Sequence, residues 1–192
     1  MNPPAPNTAS TDALMPPANA LLPSRARSAL REAAKALDLA ERHKQPLEMS
    51  LALAQMARCY RALNALGPAE WHLQQALGWA RVLGAIDQAV EILCLLAETR
   101  CALAEQLVEE DARASHAALE RMRDGVFEAT ALAGHVADPD WEIKVLLRIS
   151  DVLDRCGDHD DAVELQSRAM RLMYGPHAAA EPAAAPAGSE AA

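Results

Sequence analysis

Apolar residues recur at helical spacing through the middle of the chain. Leu53, Met56, Ala57 and Tyr60 fall at i, i+3, i+4 and i+7, so they share one face of a helix and do not alternate as in a strand. The same spacing returns, with a serine in one slot, at Leu146, Ile149, Ser150 and Leu153. Ala and Leu supply most of the apolar content, which favours closely packed helices over a β-sandwich. The pattern therefore predicts an all-α protein.

Prolines, glycines and acidic runs divide this pattern into seven predicted helices. Pro46 suits a first helical turn because the N–H that it lacks would have no helical partner there. Gly84 suits a left-handed C-cap, and Asp138 suits an N-cap. The predicted helices cover about residues 25–43, 46–65, 68–84, 86–107, 112–134, 138–156 and 159–174.

The two ends of the chain differ in composition from the middle. Residues 1–23 are rich in Pro, and residues 176–192 are rich in Ala and Pro. Neither segment can bury enough apolar surface to offset the entropy lost on ordering, so both are predicted to be disordered tails. Residues 24–175 form one predicted helical domain, which is long enough to build its own core.

Part of the chain repeats after 40 residues. The segment Ala-Leu-x-x-Ala at 36–40 returns at 76–80, and residues 56–63 return loosely as 96–103. A fixed period in this range is typical of a solenoid, in which each unit buries its apolar face against its neighbours. About ten extra residues lie around 107–115, so the middle repeat is longer than the others.

The repeat resembles the tetratricopeptide family in its longer, 40-residue variety. Leu53-x-x-Met56-Ala57-x-x-Tyr60 is similar to the family's first-helix pattern, and Ala69-x-x-x-Leu73-x-x-Ala76-Leu77 is similar to its second-helix pattern. The resemblance implies a right-handed α-solenoid of antiparallel helix hairpins. The match departs from the family where Arg100 stands in the place of Tyr60, and an unrelated helical bundle is the alternative.

Charge and cysteine usage narrow the function classes. The net charge is −9, and residues 85–164 hold 19 acids against 7 bases, which argues against nucleic-acid binding. Cys59, Cys94, Cys101 and Cys156 have no C-x-x-C spacing and are interpreted as free thiols, mostly buried, as in a reducing cytosol. With no signal peptide and no run of transmembrane length, the expected location is the cytoplasm, away from membranes.

Sequence patterns typical of enzymes are missing. The chain has no Gly-rich phosphate loop, no nucleophile elbow and no dinucleotide fingerprint, and its six histidines are dispersed without metal-ligand spacing. The acidic run at 158–161 reads better as a helix N-terminus than as a calcium loop. We therefore expect a protein that is not an enzyme and has no cofactor and no metal.

The tetratricopeptide resemblance also implies a binding groove. In that family the first helix of each pair lines the concave side, and charged residues there would orient a peptide. The alternative is an ordinary solvated face with local pairs such as Asp151–Arg155. The residues that the resemblance places in the groove are Arg58, Arg61, Glu91, Glu98, Lys144, Asp151 and Asp154.

These observations predict a non-catalytic protein-interaction module, a scaffold that binds a peptide or helical segment of a partner protein in its groove. The alternatives are a signalling sensor of the same repeat class and a small acidic secretion-type chaperone for an effector. The last helix ends in Met170, Leu172, Met173 and Tyr174 without a capping helix. Either the C-terminal tail is expected to fold back over this end, or the end packs on something else. The two candidates for the latter are a second copy in a homodimer and partners bound through an adaptable Met-rich end.

Overall fold

A computed structural model of the chain describes residues 18–175, and their side chains from residue 23 onward. This part of the chain contains seven α-helices and no strand. The helices are α1 (Ala18–Arg42), α2 (Pro46–Ala62), α3 (Leu66–Val82), α4 (Ile86–Leu107), α5 (Ala112–Ala133), α6 (Pro139–Arg155) and α7 (His159–Tyr174).

Each helix packs mainly on its neighbours in the chain. The pairs α2–α3, α4–α5 and α6–α7 form hairpins, α1 packs on α2, and α4 also contacts α3 and α6. Short connections force this arrangement because a helix that follows after a few residues must turn back along its predecessor. The all-α, repeat-like fold class predicted from the sequence is confirmed.

Four of the connecting turns share one backbone conformation. Lys44, Asn64, Gly84 and Gly157 each stand two residues before the next helix and have φ values of 53°, 58°, 64° and 86°. In each turn the following N–H donates to a carbonyl five residues back, which satisfies a free carbonyl at the helix end. The left-handed conformation predicted for Gly84 is confirmed. The turns at Lys44 and Asn64 use residues for which this conformation is less favourable.

The extra residues of the middle repeat lengthen both of its helices. α4 and α5 have 22 residues each, whereas α2, α3 and α6 have 17. The turn between the long helices stays short, and the Asp111 side chain caps α5 by accepting a hydrogen bond from the Ala114 N–H at 2.9 Å. The middle hairpin therefore projects beyond its neighbours at this end.

The first helix begins earlier than its sequence pattern indicates. We expected a start near Arg25, but α1 begins at Ala18, so residues 18–23 are helical and are not part of a tail. Pro23 lies in the second turn of α1, where its missing N–H removes one backbone hydrogen bond. The remaining predicted tail segments, 1–17 and 176–192, lie outside the described residues.

Helix α4 is the centre of the core. Residues 92–97 are all buried, which means that the middle of α4 is covered around its whole circumference. Alanines of the neighbouring helices, including Ala57, Ala69, Ala76 and Ala129, have no exposed surface and belong to the same core cluster. Small side chains at these positions let helix axes approach closely, so that the larger residues of α4 fill the space between them.

The position at which Arg100 replaces an aromatic residue holds a buried ion pair. Arg100 Nε lies 2.8 Å from Glu70 Oε1, and the two side chains are only 11% and 12% exposed. Arg100 Nη1 also donates to the backbone carbonyl of Arg121 at 2.7 Å. These bonds connect α4 to α3 and to α5, so the departure from the family pattern is compensated by polar contacts to both neighbours.

The interpretation of all four cysteines as free thiols is wrong for two of them. The structure joins Cys101 of α4 to Cys156, at the end of α6, as a disulfide, with their Cα atoms 6.3 Å apart. Their 55-residue separation hid this proximity, because parallel packing of α4 and α6 brings the two positions together. Cys59 and Cys94 are free and buried. Only these two free cysteines still agree with the argument that the cysteines indicate a reducing compartment.

We predict that replacing Arg100 alone destabilises the protein strongly. Arg100→Met leaves the Glu70 carboxylate buried without its main partner and should lower the free energy of unfolding by about 3 kcal/mol. The double variant Glu70→Leu/Arg100→Met should recover most of this loss, because no unpaired charge remains. Urea denaturation of the three chains measures the effect. Equal stability of Arg100→Met and the parent would contradict a structural role for this pair.

The disulfide predicts a specific thiol count. In the oxidised, denatured chain a thiol reagent should titrate two groups, Cys59 and Cys94, and after reduction it should titrate all four. The Cys156→Ser variant should show three thiols under both conditions. Four thiols in the parent before reduction would mean that Cys101 and Cys156 lie in contact without a bond.

Candidate functional site on the faces of α2, α4 and α6

The first helices of the three hairpins present one common face. α4 lies between α2 and α6, because its side chains bond to the ends of both: Gln106 Nε2 donates at 2.9 Å to Asn64 Oδ1 in the turn after α2, and Glu105 pairs with Arg155 of α6. We call the surface formed by α2, α4 and α6 the first-helix face. It is the surface on which the tetratricopeptide resemblance places the candidate groove residues.

A chain of ion pairs crosses the middle of the first-helix face. Glu98 of α4 accepts from Arg61 Nη1 of α2 at 2.6 Å and from Arg148 Nε of α6 at 2.5 Å. Arg148 Nη1 also contacts Glu91 Oε2 at 2.7 Å. Two cations and two anions therefore neutralise each other across three helices. Glu98 is 19% exposed, so these pairs are partly shielded from water.

The pairs between α4 and α6 have a regular register. Glu98–Arg148 and Glu105–Arg155 both span 50 residues, and the acids and the arginines are each seven residues apart. Two turns of a helix return a side chain to nearly the same face, so α4 and α6 run side by side in a fixed alignment. The solvated-face alternative predicts a local pair between Arg155 and Asp151. Arg155 pairs instead with Glu105 of α4, at 2.9 Å.

The ion pairs shift the pKa values of the groups that they enclose. Burial alone would raise the pKa of the Glu98 carboxyl, but hydrogen bonds and charges from Arg148 and Arg61 outweigh it and hold this pKa below its usual value. Beneath them, burial raises the pKa of the Cys94 thiol to about 12. At neutral pH the face thus has an ionised Glu98 above a protonated Cys94.

The structure brings together three of the seven predicted groove residues. Arg61, Glu91 and Glu98 belong to the ion-pair chain described above, where they contact each other or Arg148. Asp154 lies apart from them near the C-terminal end of α6, where its Oδ1 is 2.6 Å from Nδ1 of His159, the first residue of α7. The other three are exposed and form no ion pair within residues 23–175: Arg58, Lys144 and Asp151.

Sequence reasoning missed Arg148, which holds two of the acids in place. The available signal was the seven-residue spacing of Glu91, Glu98 and Glu105 on one helix, matched by the same spacing of Arg148 and Arg155 on another. This signal becomes informative only once the register of the two helices is known. The ion-pair chain is therefore a property of the tertiary structure.

Exposed apolar side chains lie on the same face. Leu47, Leu51 and Arg58 follow one another on one stripe of α2 at spacings of four and seven positions. Both leucines are nearly half exposed. Leu147 of α6, beside Arg148, is 39% exposed. The first-helix face thus offers leucines and unpaired charges on its two outer helices and a neutralised centre on α4.

Metal-binding clusters and membrane-spanning helices are not found among the described residues. No group of His, Cys, Asp and Glu within residues 18–175 is arranged to hold a metal ion. In the same range, no helix combines the length and the hydropathy needed to cross a bilayer. Comparison of the chain with protein-family models finds no match, and comparison with curated proteins finds none either. A function must therefore be argued from the geometry of the first-helix face.

We predict that Glu98→Gln destabilises the protein in a pH-dependent manner. The Glu98 pKa is lower in the folded chain than in the unfolded chain, so its contribution is complete above the unfolded pKa and is lost as the pH falls through the folded pKa. The variant should lose about 1–3 kcal/mol at pH 7 and less near pH 3. Thermal or urea unfolding at both pH values measures the difference. Glu109→Gln, in an exposed turn, is the matched control, and an equal loss in both variants at pH 7 would contradict the prediction.

Proposed function

We propose that the chain is a non-catalytic protein-interaction module that binds an amphipathic peptide or helical segment of a partner protein on its first-helix face. The observation that carries the proposal is the combination of exposed leucines and unpaired charges on α2 and α6. Leu51 and Leu147 supply apolar contacts, and Arg58, Lys144 and Asp151 supply charges that no side chain in residues 23–175 neutralises.

The ion-pair chain supports this proposal by making the face rigid. Arg61, Glu98 and Arg148 connect three helices through contacts of 2.5–2.6 Å, so the outer helices hold a defined spacing before a partner arrives. A binding surface that is already ordered loses less conformational entropy on association. We assign these paired charges to the shape of the face, and the unpaired charges to recognition.

A catalytic role fits the face less well. Glu98 is held ionised by two arginines, which lower the pKa of its carboxyl and make it a weak base. The Cys94 thiol has a pKa of about 12 and is buried, so it is a poor nucleophile at neutral pH. These two properties support a binding function over an enzymatic one.

The tetratricopeptide assignment stays a proposal of the same kind. It is supported by two spacings between the first helices of successive hairpins. Gln88 of α4 donates to Ser50 of α2, 38 residues away, which is close to the 40-residue period. Paired residues of α4 and α6 are 50 residues apart, which is this period plus the extra residues of the middle hairpin. The cytoplasmic location also stays a prediction. Identification of a binding partner whose own compartment is known would test it.

Random peptides displayed on phage, selected on the full chain, provide the probe for this proposal. For a selected peptide, Leu51→Asp and Leu147→Asp should each weaken binding by about tenfold, which corresponds to about 1.4 kcal/mol. Fluorescence anisotropy of the labelled peptide gives the dissociation constants. Arg58→Glu should change the salt dependence of binding, because it reverses a charge at the edge of the contact.

Val82→Asp is the matched control, since Val82 is 79% exposed at the end of α3, outside the first-helix face. Its binding should equal that of the parent. If the selected peptides bind Leu51→Asp and Leu147→Asp as tightly as the parent, the first-helix face is not the binding surface. Circular dichroism of each variant establishes that a loss of binding is not a loss of fold.

A further inference from the structure

The outer face of α7 has an apolar stripe without a partner in the described part of the chain. Val163, Met170 and Tyr174 are 58%, 50% and 66% exposed, and α7 contacts α6 through its opposite side, where Ala162 and Ala169 are buried. In a helical array this is the side on which a further repeat would pack. No helix within residues 18–175 occupies it.

The stripe has the spacing of a two-helix seam. Val163, Ser167, Met170 and Tyr174 stand at i, i+4, i+7 and i+11, which is the alternating pattern that faces a partner helix along a left-handed coiled contact. α7 has 16 residues and is about 24 Å long, so four seam positions cover its whole length. A single exposed apolar residue would need no explanation, but three exposed apolar side chains in line along the whole helix do.

The charged residues beside the seam are acidic in the first half of α7 and basic in the second half. Asp160 and Glu164 flank its first half, and Arg171 flanks its second half on the same side. All three side chains are exposed, and none forms an ion pair within the described residues. Arg168 belongs to another side of the helix, because it pairs with Glu142 of α6.

We propose that α7 is the contact surface of a homodimer in which the two copies of α7 pack antiparallel. In this arrangement Val163 faces Tyr174 of the second copy, and Ser167 faces Met170 of the second copy. The same flanks of the two helices then meet, so Glu164 of each copy lies beside Arg171 of the other. A parallel pair would place this charged flank against the side that holds Gln166 and Met173, and would gain no ion pair.

The proposed contact is small. A seam of one short helix buries less surface than the 1,200–2,000 Å² that is typical of stable interfaces, so we expect a dimer that dissociates on dilution. Two copies of one surface related by a two-fold axis satisfy each other, which closes the assembly at two chains. The dimer leaves the first-helix face of each copy unoccupied and does not depend on its function.

A charge-swap experiment tests both the contact and its direction. Sedimentation velocity of the full chain over a wide concentration range should show a monomer–dimer equilibrium. Glu164→Arg and Arg171→Glu should each raise the dimer dissociation constant by about tenfold, because each places like charges together at two symmetric positions. The double variant should return to the parent value, since both ion pairs are restored in reverse.

A mixture of the two single variants gives a further readout. In an antiparallel heterodimer every Arg faces a Glu, so the mixture should dimerise about as tightly as the parent, although each variant alone dimerises more weakly. Met170→Glu should abolish dimerisation in all combinations. A parent chain that stays monomeric at all concentrations overturns the proposal. If Met170 is then more exposed in a chain without residues 176–192 than in the full chain, the occupant of the seam is the chain's own C-terminal segment. Dimerisation unchanged by the charge swaps also overturns it.

Discussion

The fold depends on the complete enclosure of one helix. α4 is buried around its circumference at residues 92–97, which requires helices on every side of it, and no single hairpin can supply them. Alanines such as Ala69 and Ala76 on α3 have no exposed surface, so the neighbouring axis can come close enough to close the gap. The paired hairpins are consequently stable as an array, with α4 as the element that α3, α5 and α6 cover.

The charged groups follow from the same enclosure. A helix covered on all sides must place its polar side chains between its neighbours, and Arg100 and Glu98 do this in different ways. Arg100 is buried against Glu70 and fixes α4 to α3, whereas Glu98 lies at the surface and connects α4 to the arginines of α2 and α6. A face with a neutralised centre and unpaired charges at its edges is the result, and we propose that partners bind at those edges.

The ends of the array present the opposite situation. α7 buries one side against α6 and leaves a seam of Val163, Met170 and Tyr174 exposed, because no further repeat follows in the described residues. Repeat proteins usually close such an end with a polar surface. In this chain the exposed seam carries complementary charges along its length, and a second copy satisfies both the apolar and the ionic groups.

Local properties of the sequence were sufficient to predict the helices and their arrangement as adjacent pairs. Apolar spacing, glycine and proline positions and the 40-residue period depend on neighbours along the chain, and the turn at Gly84 was recognised because glycine tolerates a left-handed backbone. The site was predicted only in part: Arg61, Glu91 and Glu98 meet, but Arg148 and the contact between Cys101 and Cys156 were missed. These partners are 50 and 55 residues apart, and only the packing of α4 against α6 sets the register that brings them together. The sequence by itself determined which residues are helical and which faces are apolar, whereas the tertiary structure decided which charges neutralise each other, because Coulomb and hydrogen-bond energies depend on distances that only packing defines.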